Sequence, residues 1–177
     1  MDYQHILFSI ADGIARLTLN RPARLNSFIV AMHEEVRDAL TQVAADRTVR
    51  VLVLTGAGRA FCSGADLSPG SELFAPPGPG FSASPVDPPA WRVRKLVVAA
   101  VNGPALRHAE LPILCDIVLA SETASFQDSA HFMNGLVPGD GVHVAFPAVM
   151  GLNRARYFLL TGQELHAVEA KQMGLVN

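Results

Sequence analysis

The sequence has only two cysteines, Cys62 and Cys115, and they are far apart. With no C-x-x-C pair they supply neither a zinc site nor a disulfide framework, so an intracellular, cytoplasmic protein with no metal is the expectation. Charge is sparse as well: 17% of residues are charged and the net charge is −2. No Lys/Arg cluster is present, which argues against a nucleic-acid partner. No apolar run approaches the roughly 20 residues of a membrane span, so no membrane partner is expected. The opening MDYQHILFSI lacks a basic stretch followed by an apolar core and does not read as a secretion signal. Internal repeats are missing too. What is there is a globular composition, half of it hydrophobic, spread over 177 residues. That is enough for a single domain, 1–177, with a real core.

Read in order, residues 5–10 and 14–20 are β-rich runs separated by Ala11-Asp12-Gly13, the pattern of a hairpin. Asn26 or Ser27 is placed to cap a helix whose apolar positions (Ile29, Met32, Val36, Ala39, Leu40, Val43) recur at helical spacing. VRVLVLT, residues 49–55, reads as a strand buried on both faces. Residues 59–67 read as a turn into a helix start, where backbone N–H groups point outward. Residues 68–89 hold seven of the twelve prolines. They form a loop, either a lid over a site or a surface insertion. A short helix is expected over 91–95, a strand over 95–101, a helix over 105–114 despite Pro112, and strands over 116–120 and 124–126. Helices follow over 141–150, 153–160 and 166–173. Strands alternating with helices give an α/β fold.

The stretch from Val101 to Gly141 carries the chemistry-bearing residues. It places His108, His131, Glu110, Asp116, Asp128 and Asp140 beside short apolar runs. Polar residues at the ends of buried runs are where sites are usually mounted.

FCSGADL, VNGPAL, CDIVLA and LTGQELHAVEAKQMGLVN, in that order, resemble the crotonase (enoyl-CoA hydratase/isomerase) superfamily from about residue 5 onward. The resemblance implies a ββα spiral, a homo-oligomer (a trimer or dimer of trimers), and a small-molecule substrate. It also implies an oxyanion hole with one backbone donor at Ala65, flanked by Gly64 and Asp66. Two fixed donors aimed at developing negative charge are worth a few kcal/mol each. The family continues beyond the equivalent of Asn177 into further helices, which this sequence lacks.

Two departures stand out. Where hydratases carry a glycine run before a catalytic Glu, this chain has Arg107-His108-Ala109-Glu110, one residue shorter. The second hydratase Glu would fall after Phe126, but that segment, QDSAHF, has none. NGPxxxHxELP, SFQDxxHF, GLVPGDGxH and GxNRxRYFLLTGQEL instead resemble the 6-oxocamphor hydrolase branch of the superfamily. That branch cleaves a C–C bond of a cyclic β-diketone without a cofactor. By motif its catalytic residues fall on His108, His131 and Asp140.

His131 would then be the general base, Asp140 would hold its tautomer, and His108 would polarise the second carbonyl. Glu110 is a structural or secondary acid. Taken alone, His131 could be a structural histidine and Asp140 an Asx turn. His143, Arg154 and Arg156 read as helix surface. Two other readings stand beside the hydrolase. One is an enoyl-CoA hydratase/isomerase, with a coenzyme A thioester as substrate at Ala65. The other is a non-catalytic paralogue.

Overall fold

The computed structural model describes residues 2–68, 93–138 and 141–177. Two sheets organise it. The larger has the order β1-β2-β3-β5-β7, the smaller β4-β6-β8-β9. The hairpin is β1 (Ile6–Ala11) and β2 (Ile14–Leu19), joined by Asp12-Gly13 with both residues at positive φ. β3 (Val51–Gly56), β5 (Leu96–Val101) and β7 (Ile117–Ala120) then add in parallel. Each of these three strands is followed by a short strand of the second sheet: β4 (Cys62–Ser63), β6 (Ala105–Arg107) and β8 (Ser125–Phe126). β4, β6 and β8 pair in parallel, and β9 (Leu165–His166) closes the small sheet antiparallel to β8. The chain is therefore an α/β spiral in which each turn visits both sheets.

The core lies under the large sheet and runs into the helices. α1 (Val30–Ala45) buries Met32, Ala39, Leu40 and Val43, the expected helical stripe. Glu35, also buried, accepts the backbone N–H groups of Gln4, His5 and Ile6 at 2.8–3.1 Å, which fixes the start of β1 on the helix. α3 (Val142–Met150) and α4 (Leu152–Thr161) pack together through Phe146 and Phe158, whose rings lie 4.8 Å apart. α5 (Ala167–Gln172) follows β9. Among the described residues no helix is long and apolar enough to cross a membrane.

Several expectations are corrected. Asn26 caps nothing. It sits at φ 56° in a turn, and its buried side chain accepts from Arg21 N–H and donates to the carbonyls of Ala57, Ala60 and Phe61. The N-cap of α1 is Ile29, with no side-chain hydrogen bond. Strand β3 alternates buried and half-buried residues instead of being covered on both faces. Residues 59–67 start no helix. They form β4 and a parallel bridge from Ala65 to Phe28, because the small sheet captures their backbone. The helix expected over 105–114 is split. β6 occupies 105–107, and His108 at φ 55° turns the chain into the four-residue α2 (Glu110–Ile113). Val93–Lys95 is not helical. The rest of the expected 91–95 helix and residues 69–89 of the proline-rich stretch lie outside the described residues.

Candidate active site

The small sheet ends in a cavity of about 400 Å³ whose walls include Ala65, Leu67, Arg107, His108, His131 and Leu136. Each wall comes from the segment immediately after a short strand. Ala65 follows β4, His108 follows β6, and His131 comes a few residues after β8. Leaving the ladder frees these residues from sheet geometry, which is why His108 can hold a left-handed backbone that a strand residue could not. Its ring packs edge-on to Phe28 at 5.7 Å.

Both histidines are tied to carboxylates. His108 Nδ1 lies 2.8 Å from Glu110 Oε1, and Glu110 is completely buried. His131 Nδ1 lies 2.8 Å from Asp128 Oδ1, and Asp128 is 2% exposed. Asp128 Oδ1 also accepts from the Ala130 N–H at 3.4 Å, and Oδ2 has no hydrogen-bond partner among the described residues. An ionised carboxylate can only accept, so with the carboxylate ionised each pair would carry the shared proton on Nδ1 and leave Nε2 as the other ring nitrogen for chemistry. In its neutral form such an imidazole presents a lone pair at Nε2. In its protonated form it presents a donor there.

The expected residues are thus partly brought together. His108 and His131 share the cavity, and Glu110 supports the first of them. Asp140 lies outside the described residues. Among the described residues the carboxylate on His131 is Asp128, which sequence reasoning left without a role. The signal was available in the D-x-x-H spacing, because an acid three residues before a histidine can fold back on it. His143, Arg154 and Arg156 are exposed, as read.

The Ala65 segment divides. The bridge to Phe28 uses the Gly64 carbonyl and the Asp66 N–H, so the Ala65 amide faces away from Phe28. Asp66 is an anchor: it pairs with Arg21 Nη2 at 2.9 Å and accepts from Ser68. The Ser68 and Arg21 hydrogen bonds hold its carboxyl down to about 2. Gly64, at φ 93°, lies under the stem of Arg107, where a Cβ would meet Arg107 Cδ at 2.9 Å and Cγ at 3.0 Å.

One more titratable group stands behind the site. His33 is 6% exposed, its ring is 4.8 Å from that of Phe28, and its buried Nε2 has no hydrogen-bond partner among the described residues. Burial, followed by the charges of His108 and Arg37, lowers it from 6.5 to about 4.

With this geometry in place, comparison with known proteins identifies the lineage. The family described as Enoyl-CoA hydratase/isomerase matches residues 9–177. A probable peroxisomal enoyl-CoA hydratase 1 of Arabidopsis thaliana is 37% identical over 171 residues, covering 94% of this chain and 63% of the plant protein. The 1,2-epoxyphenylacetyl-CoA isomerase of Escherichia coli is 39% identical, covering 98% of this chain and 68% of that protein. The crystal structure of an enoyl-CoA hydratase from Mycobacterium tuberculosis superimposes with a TM-score of 0.83 at 36% identity, over 98% of this chain and 73% of that one. This chain thus spans about two-thirds of the length of the two curated relatives. It belongs to the enoyl-CoA hydratase/isomerase family, the crotonase superfamily.

Proposed function

We propose that this crotonase-superfamily enzyme is a cofactor-free hydrolase that cleaves a C–C bond of a cyclic β-diketone. The observation that carries the reading is the pair of histidines on one cavity, each with Nδ1 at 2.8 Å from a buried carboxylate. In the reaction, water adds to one carbonyl carbon as its proton passes to Nε2 of neutral His131, and Asp128 stabilises the imidazolium that results. The tetrahedral oxyanion collapses, the C–C bond breaks, and its electron pair becomes an enolate on the second carbonyl. Protonated His108, paired with Glu110, donates a hydrogen bond from Nε2 to that enolate oxygen and keeps its proton. Return of the His131 proton to carbon completes a keto acid, so substrate plus water equals product. Asp140 stays in this proposal as the acid that the motif resemblance assigns to the His131 tautomer.

A second reading has its own support. The relatives above are named for acyl-CoA chemistry, and the Ala65 amide faces away from its sheet partner, as an oxyanion donor would. Under this reading the substrate is a coenzyme A thioester. These names favour it; the histidine pairs favour the hydrolase, since neither Glu110, which is fully buried, nor any other glutamate lines the described cavity.

The test is loss of the ultraviolet absorbance of enolisable cyclic β-diketones, with crotonyl-CoA hydration followed in parallel. The hydrolase reading expects diketone turnover that falls roughly 10²–10⁴-fold in His131→Ala. Folded protein that hydrates crotonyl-CoA and spares every diketone would overturn it. Homo-oligomerisation is part of the proposal. Exposed Leu136, Val137, Val144, Tyr157 and Leu160 are suited to a subunit contact, and light scattering would report the size.

A further inference from the structure

Arg107 lines two cavities. One is the histidine pocket. The other is a polar groove of about 440 Å³ bordered by Arg24, Ser63, Asp66 and Ser129. Both also share Ala65 and Leu67. Among the described residues, Ala65, Leu67 and Arg107 are thus the boundary the two cavities have in common.

Arg107 is held on that boundary at two points. Its stem lies along the Gly64 backbone, so closely that a single carbon added to Gly64 would collide with it. Its Nε donates to Ser129 Oγ at 3.2 Å, and Ser129 Oγ in turn donates to the Leu106 carbonyl at 2.8 Å. Parallel pairing of Ser63 with Arg107 keeps the two walls in register. An arginine stem fixed by packing along its length and by a hydrogen bond near its end forfeits the rotamer freedom that would let it swing aside.

We propose that Arg107 is a specificity determinant. Its side chain divides one continuous groove in two, confining ligands of the histidine pocket to compact molecules and denying them a tail in the polar groove. The class admitted is a small cyclic dicarbonyl, and the class refused is a thioester carrying a long nucleotide tail. Discrimination of this kind comes from blocking the competitor, with no added contact to the favoured ligand. The inference deepens the hydrolase reading and rests on it for the identity of the compact ligand.

The test is titration calorimetry of wild type, Arg107→Ala and Arg107→Lys with two probes, crotonyl-CoA and a cyclic β-diketone. Alanine removes the stem, and lysine keeps most of it. The ratio of thioester to diketone affinity should rise at least tenfold in the alanine variant and stay near wild type in the lysine variant. Lack of a rise in the alanine variant would overturn the proposal. So would an equal rise in both variants, or wild-type protein that already binds crotonyl-CoA as tightly as Arg107→Ala. If crotonyl-CoA affinity rises in Arg107→Ala alone while no variant binds a diketone, the divider stands and the diketone reading falls.

Discussion

His33 should make the fold acid-sensitive, and the size of the effect follows from its surroundings. The side chain is buried between α1 and the site, with Nε2 unsatisfied and the Phe28 ring against it. Charging it there is unfavourable, first through burial and then through His108 and Arg37, so it is held at about 4 instead of 6.5. The unfolded chain therefore takes up the proton first. Stability from this group is whole above the unfolded value, is lost as pH falls from 6.5 toward 4, and saturates below that. The full difference is about 3 kcal/mol, of which about 2 kcal/mol is lost between pH 7 and pH 5. Against a typical total of roughly 5–15 kcal/mol this is a large share. Urea unfolding of wild type and His33→Phe at both pH values isolates it, because phenylalanine keeps a ring against Phe28 and cannot titrate. Whatever the variant costs at pH 7, its stability should fall by about 2 kcal/mol less than that of wild type on going to pH 5. Parallel losses in the two proteins would refute the reasoning.

Three further outcomes are expected. Asp128→Asn removes the acceptor that fixes the His131 proton on Nδ1, so turnover should drop about 10²-fold or more with little change in KM. Nitrogen NMR should show the His131 tautomer change in the same variant, and an unchanged tautomer would disprove the positioning role. Asn26→Ala strips four hydrogen bonds from a buried turn and leaves alanine at φ 56°, at a cost of roughly 3–5 kcal/mol in denaturant unfolding. In Gly103→Ala the new carbon would meet the Arg59 carbonyl, whose carbon is 2.9 Å away, and Ala60 Cα at 3.2 Å. Backbone cannot retreat as a flexible side chain can, so that variant should lose soluble expression or its cooperative thermal transition.

The large sheet was legible because its strands are apolar runs ended by turn residues, and the structure moves their ends by only a residue or two. α1 and α3–α5 were legible from periodicity. The small sheet was not. Its strands are two or three residues long, too short to display any period, and their pairing is imposed by where the spiral delivers them. That blind spot explains the misreading of 59–67 as a helix start and of 105–114 as one helix. The histidines could be found because they stand out against an apolar chain, and the motif resemblance placed both. Their carboxylate partners were half visible. Glu110 was noted without its contact to His108, and Asp128 was given no role, while Asp140 lies outside the described residues. That Asp128 folds back on His131 depends on how the chain turns after β8, which spacing alone does not fix. Arg107 was read only as standing where hydratases carry a glycine run, and its position between two cavities could emerge only once Gly64 and Ser129 were seen beside it.

Because Ala65, His108 and His131 each stand beyond the end of a separate short strand, the cavity is a socket assembled from three separate stretches of chain. A residue past the last ladder bond can be replaced, or a one-residue insertion or deletion absorbed, without disturbing the pairing that holds its neighbours. His108 and His131 both stand in such positions, beyond the ends of β6 and β8. The residue at either position can then be exchanged at the cavity without rebuilding the strand that delivers it.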